Sequence, residues 1–393
     1  MKKILLGTTG LVGAALLATA ASAETPKVTL GGFSDFQAGW TDNDAAPAVG
    51  DSDVGFRNDN EITVHVDGKT DGGLGYGAVI DLEADLNADT NNEGVNASRT
   101  FTYLEGTWGR VEMGGNKSAA STMRVDASTV AVATGGINGD WVHFVNPSGA
   151  NTNPGNTVAG TAGAFISNSE LQSEHGSVET LDDETTYNNT KITYYSPRWA
   201  GFQFGASYTP DINDKGQLAQ RLDDDYSDVI DLGLGYETQF DGGWKLALSG
   251  TYETADSDTA GTDDLEGWNI GALVGWDAFS IAGSYGNWDE GAFGGVAAGL
   301  STVTPIASAD GDYWTAGVGY DAGAFGLSAT YLDSSLDIGA GDNDFTNLVL
   351  GADYKLAPGL TPYVEASFYD FDSTVAAADN EGTTVIVGTQ LAF

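Results

Sequence analysis

The chain has no cysteine, few basic residues, and no long apolar run beyond its first 23 residues. Each shortage excludes something. Without cysteine no disulfide holds the fold, so another closed network has to, and an extensive sheet would serve. Only 15 Lys+Arg stand against 56 Asp+Glu. That balance excludes a nucleic-acid partner, which needs basic patches, and argues against anionic lipid surfaces. Past the leader no stretch reaches 18 consecutive apolar residues, so no transmembrane helix is expected. A membrane β-barrel survives that exclusion, because each crossing needs only about ten alternating residues.

What is present begins with the compartment. Residues 1–23, "MKKILLGTTGLVGAALLATAASA", have two lysines, an apolar stretch and Ala21-Ser22-Ala23. That order is a secretory signal peptide cleaved before Glu24. Its two lysines leave with it, so 13 basic residues face 56 acidic ones, a formal charge of −43. Such acidity often means disorder. Nine Trp, 16 Tyr and 16 Phe argue instead for an ordered frame with acid-rich loops.

Period-two alternation marks about sixteen strands: 26–40, 56–67, 73–85, 98–106, 108–114, 188–196, 200–209, 227–240, 243–254, 266–277, 279–288, 312–320, 323–333, 345–355, 360–370 and 383–393. In 243–254, Trp244, Leu246, Leu248 and Tyr252 share one face; Lys245, Ser249, Thr251 and Glu253 share the other. Strand 98–106 is ambiguous, with neither face clearly apolar. The links alternate between short and long. Seven are tight turns such as "GTWG" (106–109), "DGG" (241–243) and "DAGA" (321–324). Eight are long, polar and acidic: 41–55, 86–97, 115–187, 210–226, 255–265, 289–311, 334–344 and 371–382. A sixteen-strand meander with all turns at one end and all loops at the other needs that count. Greek-key sandwiches do not sort links this way. Aromatics such as Trp40, Phe56, Trp244, Trp276, Phe279, Tyr320 and Phe325 sit at strand ends, as two interfacial belts require. The outward faces carry almost no charge. The inward faces carry Asp81, Glu83, Arg110, Lys245 and Glu253, which predicts a wet lumen. The expected fold is all-β, a 16-stranded antiparallel transmembrane β-barrel with short periplasmic turns and long extracellular loops.

Other chemistry finds no support in the residues. "DGKT" (67–70) has the ending of a phosphate loop, but the glycine required five residues before Gly68 is Thr63. His65, His143 and His175 make no i, i+4 pair for zinc, and no nucleophile-elbow pattern occurs. An enzyme is therefore not expected, and no cofactor is required. Calcium is the one ion with a case. Acidic loops that include Asp42 and Asp44, or Asp256 and Asp258, offer hard oxygen ligands, though none has EF-hand spacing. Solvated acidity is the simpler account.

"EITVHVDGKTDGGLGYGAVIDLEAD" (61–85), "FTYLEGTWGRVEMGGNKSAA" (101–120) and "KITYYSPRWAGFQFGASYTPD" (191–211) resemble successive stretches of Gram-negative general porins, the last one of alphaproteobacterial porins. With the terminal Phe393 they span the barrel in order. The resemblance implies a homotrimer in the cell outer membrane, in contact with lipid and lipopolysaccharide, passing ions and small hydrophilic solutes by passive diffusion. It implies that 115–187 folds inward as the constriction loop, its acids facing basic wall residues. The candidate acids are Asp126, Asp140, Glu170, Glu174 and Glu179, and the sequence does not order them by distance from the channel. The candidate bases are Arg57, Arg99, Arg110 and Arg124, with His65 also lining the pore. Related porins tend to carry arginines where Asp59 and Glu61 stand here, so the basic wall is expected to be weak; with a formal charge of −43 and acid on both walls and mouths, the channel is expected to be cation-preferring. A solute-specific channel, for a sugar say, is the alternative. Trp141 and Phe144 would seed its aromatic slide. A third reading is an exported soluble calcium-binding or adhesive β protein, which would extract into buffer without detergent. The last strand, with Val385, Val387, Leu391 and Phe393 on one face, should pair with the first. Phe393 resembles the signal read by the barrel-assembly machinery.

Overall fold

The computed structural model describes residues 24–44, 53–84, 96–145, 165–166, 169, 189–212, 226–258, 263–289, 310–337, 339, 341–374 and 379–393. The expected leader 1–23, His175, and the acids Glu170, Glu174 and Glu179 lie outside them. Sixteen strands are described: β1 (Glu24–Asn43), β2 (Val54–Lys69), β3 (Gly75–Glu83), β4 (Asn96–Gly106), β5 (Gly109–Gly115), β6 (Thr190–Tyr195), β7 (Phe202–Asp211), β8 (Tyr226–Gln239), β9 (Trp244–Ser257), β10 (Leu265–Trp276), β11 (Phe279–Asp289), β12 (Asp310–Ala322), β13 (Phe325–Asp337), β14 (Asp342–Tyr354), β15 (Leu360–Asp372) and β16 (Asn380–Ala392). Each pairs antiparallel with its neighbours in chain order, and β16 pairs β1 to close one barrel. Closure satisfies every strand edge internally, which a sheet in lipid requires.

The seam is the β1–β16 ladder from Phe33 opposite Ala392 to Asn43 opposite Gly382, and Phe393 extends it by one pair. Phe393 donates to the Gly32 carbonyl at 3.0 Å, and Gly32 donates to the Phe393 carbonyl at 3.1 Å. Gly32 has φ of 152°, and a Cβ there would lie 2.1 Å from the Glu61 carbonyl oxygen, so only glycine fits. The Phe393 ring is 68% exposed and points outward with Val387 and Leu391, while Ile386 turns inward and is buried.

Alternation sets the two faces. Ile270, Val274, Ile281, Val318 and Leu327 are exposed on the outside. Aromatic pairs ring both ends of this apolar band. At the short-turn end Trp244 stacks on Trp276 (5.7 Å), Phe279 meets Tyr320 (4.8 Å) and Phe325 meets Tyr354 (4.7 Å). At the long-loop end Trp268 meets Tyr285 (5.6 Å) and Trp314 meets Tyr331 (5.1 Å). These are cross-strand neighbours at interfacial depth. The tightest turns are two residues long; Asp277, at φ 53°, occupies the left-handed region that Asp tolerates.

Two expectations need correction and one open reading is resolved. The link expected at 334–344 is short, because β13 and β14 stay paired out to Asp337 and Asp342. Ser334 and Leu336 face inward there and are buried, so alternation outlasts the lipid-facing segment. The ambiguous strand 98–106 turns Phe101 and Tyr103 inward, packed with Val79. And the lumen is not uniformly wet. On β13–β16 the inward residues Leu332, Phe345, Val349, Phe371 and Ile386 form an apolar core with the long loop.

Candidate functional site

The segment after β5 lies inside the barrel. Ser118 accepts the Ser121 N–H at 3.2 Å and starts a short helix, α1 (Ala119–Met123). Two 3-10 turns follow, Ala127–Val130 and Gly136–Asn138, then a second short helix, α2 (Val142–Val145). They meet the wall in succession: α1 on β7–β9, the first turn on β11–β13, the second on β13–β15, and α2 on β1. This brings Asp140 beside β2, and the inward faces of β2, β4 and β5 carry three of the candidate arginines.

Apolar contacts dock the loop's far half. Trp141 is fully buried between Phe345 (6.2 Å) and Tyr369 (6.0 Å), and its Nε1 donates to the Ile137 carbonyl at 3.2 Å. Phe165 packs on Phe345 and Phe371 at 4.7 and 4.6 Å. Buried polar groups add direction. Glu365 on β15 accepts the Thr134 hydroxyl (2.5 Å) and the Thr134 N–H (3.2 Å). Thr41 on β1 donates to the Phe144 carbonyl at 2.7 Å.

Where the loop returns, Arg57 and Asp140 come together at 3.6 Å, and Arg57 also pairs with Asp59 at 3.2 Å. Gln37 donates to Asp140 at 2.5 Å. Arg57 and Asp140 are partly exposed, so their pair stabilises the fold by only about 0–1 kcal/mol. Their consequence is the local field. Each further candidate arginine also has an acid beside it. Arg99 pairs with Asp81 at 2.5 Å. Arg110 pairs with Glu112 (2.7 Å) and Glu105 (3.2 Å) and lies over the Tyr103 ring. Arg124, directly after α1, pairs with Asp126 at 3.0 Å, and both are buried. Asp126 also accepts from Ser128 and from Ser169 (2.7 Å), which ties two parts of the loop together. His143 lies 3.9 Å from Asp140. Burial, with the Arg57 charge, pushes its pKa down to about 3, against an opposing pull from Asp140.

The predicted residues therefore divide. Arg57 and Asp140 meet. Arg99 and Arg110 are on the wall of β4 and β5. Arg124 and Asp126 are a buried pair within the loop. His65 is on β2 opposite Thr29 and Val79, eight residues from Arg57; that is roughly 26 Å along the strand, away from the meeting point. Asp42 and Asp44 are at the end of β1 and Asp256 and Asp258 at the end of β9, where Asp258 accepts from Ser227 at 3.0 Å. Among the described residues no three His, Asp or Glu side chains group as metal ligands. The sequence reading missed Gln37, Glu365 and the Asp35–Tyr363 contact (2.9 Å). Strand parity alone turns all four side chains inward and would have found them.

A family model described as Gram-negative porin matches residues 7–374. Among curated relatives, a Rickettsia conorii protein named only as uncharacterized is 28% identical over 36% of this chain, which spans just 30% of that relative's length. A Rickettsia bellii protein, named in the same way, is 23% identical, with 74% of this chain and 75% of the relative covered. Among solved structures, an anion-selective porin from Comamonas acidovorans superposes with a TM-score of 0.63 at 16% identity, covering 94% of this chain and all of the other.

Proposed function

Because the chain belongs to the Gram-negative porin family and forms an outer-membrane β-barrel, we propose that it is a general diffusion channel for ions and small hydrophilic solutes, with a preference for cations. One observation carries the preference: the basic groups expected to line the wall are already neutralised. Arg57, Arg99 and Arg110 each sit against carboxylates, with Asp59, Asp81, Glu105 and Glu112 among the partners. Glu61 adds another inward acid on β2. An arginine paired with one or two acids presents no net positive charge to a passing ion, so the overall acidity of the chain governs the lumen. Permeation is passive. The wall supplies a water-filled path and a field, and the loop supplies a size limit.

A saturable sugar channel fits less well. Its aromatic seeds, Trp141 and Phe144, are buried against the wall and offer no ring face to a solute. The proposal includes a homotrimer embedded in outer-membrane lipid and lipopolysaccharide, and recognition of the terminal strand by the barrel-assembly machinery. The first rests on family membership, and the second also on the outward, seam-closing Phe393. The test is the zero-current potential of single channels in a planar bilayer under a potassium chloride gradient. A sign showing cation preference supports the reading; anion preference overturns it.

A further inference from the structure

The loop is laid on the wall along a track of glycines and hydroxyls. Its backbone N–H groups reach wall side chains one after another. Ala119 donates to Ser207 on β7 (2.7 Å), Val125 to Ser249 on β9 (2.9 Å), Ala127 to Thr315 on β12 (3.1 Å), Val132 to Ser328 on β13 (3.0 Å) and Ile137 to Thr330 on β13 (3.1 Å). A donor from irregular backbone, buried against a wall, needs such an acceptor. Short hydroxyls provide it only if the loop lies flat on the sheet.

Glycines give that closeness. A Cβ on Gly271 would stand 1.7 Å from the Val125 carbonyl oxygen. On Gly317 the three nearest atoms would all belong to Ala127 and Val130, at 2.9–3.1 Å. On Gly233 they would belong to Met123 and Ala119, at 2.9–3.2 Å, and on Gly39 to the Phe144 ring, from 2.1 Å. None of these four glycines has the positive φ that would itself demand glycine. A strand-interior glycine gives up side-chain packing and backbone entropy. Here the backbone does not ask for it, and the space is taken by the loop.

We infer that Gly39, Gly233, Gly271 and Gly317 are size-determining residues of the channel: by omitting one Cβ layer under the loop, they hold it against the wall and set the free cross-section that remains. The inference rests on the reading of the lumen as a diffusion path. Filling the track pushes the loop inward, and the loss falls hardest on the largest solutes.

The experiment compares wild type with Gly271→Val and Gly317→Val, each purified as the full mature chain. Gly250→Val on β9 is the control, since a Cβ there meets nothing within 4 Å. Single-channel conductance and liposome swelling with sugars of increasing size are read together. Conductance should fall roughly twofold in the track variants, with swelling rates falling more steeply as the sugar grows, and the control should match wild type. A folded Gly271→Val or Gly317→Val with wild-type conductance and size dependence overturns the inference. So does a loss that is equal for every sugar. If a valine variant does not give the heat-modifiable barrel band, Gly317→Ala combined with Gly319→Ala, whose Cβ would stand 2.8 Å from the Val130 carbonyl oxygen, is read by the same criteria. A wild type that admits no sugar and carries no current would overturn the diffusion reading itself, and with it this inference.

Discussion

Trp141→Ala should release the constriction loop without opening the barrel. Trp141 is the largest fully buried side chain among the described residues, and it belongs to the loop while the two rings it stacks on belong to the wall. Truncation removes two stacked contacts, to Phe345 and Tyr369, and the hydrogen bond to the Ile137 carbonyl. A buried Trp→Ala change costs about 3–5 kcal/mol. The barrel ladder closes through backbone pairs that the indole does not touch. The cost therefore falls on the equilibrium between docked and released loop. At about 1.4 kcal/mol per factor of ten, the ratio of docked to released loop drops by about a hundredfold to a few thousandfold.

Two assays read that shift. Limited proteolysis of the detergent-solubilised protein should cut between β5 and β6 much faster in the variant. Single-channel records should gain open-state noise as the loop samples released positions. The heat-modifiable band on gels should stay, because the barrel persists. Trp141→Ala combined with Tyr369→Ala should cost less than the two separate changes added, since they share one contact. A folded variant with wild-type protease resistance and quiet current would refute the idea that this contact anchors the loop.

Three further outcomes are expected. His143 should weaken docking in acid: it is buried neutral with its pKa near 3, while a released loop would protonate it near the ordinary 6.5. Its contribution to docking is fully present above pH 6.5 and falls away as pH drops from there toward 3, so over that window His143→Gln should be less acid-sensitive to protease than wild type; identical profiles would count against a buried neutral His143. Arg57→Gln removes the positive charge between Asp59 and Asp140 and should move the zero-current potential further toward cation preference; a move toward anions would contradict the assigned field. Deleting Phe393 removes both seam hydrogen bonds to Gly32 and the outward ring. Outer-membrane yield of folded barrel should fall more than after deleting Ser373 in a loop, and equal losses would count against a terminal assembly signal.

How much of this was legible in the residues depends on the range of the interaction that decides each feature. Strand number, order and closure follow from period two and from the sorting of short and long links, both local properties. Parity then turned Arg57, Asp59 and Glu61 inward, as the burial of Asp59 and Glu61 bears out. Alternation fails where both faces are apolar. On β14, Phe345 and Val349 face in while Leu348 and Leu350 face out, and nothing within the strand says which pair meets lipid. The answer comes from a loop some 200 residues earlier, which covers the inner pair with Trp141 and Phe165. Strand β4 is resolved in the same way, by Phe101 meeting Val79 and Arg99 meeting Asp81 across the ladder.

The channel's electrostatics add one more step. The order of candidate acids on the loop was illegible because it depends on where the loop comes back to the wall. That return is set by Phe144 over Gly39 and by Thr41 holding the Phe144 carbonyl, four residues past Asp140. Asp140 faces Arg57 because an apolar seat four residues further on puts it there. Steric fit at Gly39 thus positions a charge that a composition-level reading treats as one of many. Any substitution that unseats Phe144 should act on selectivity as well as on size, even though it changes no charged residue.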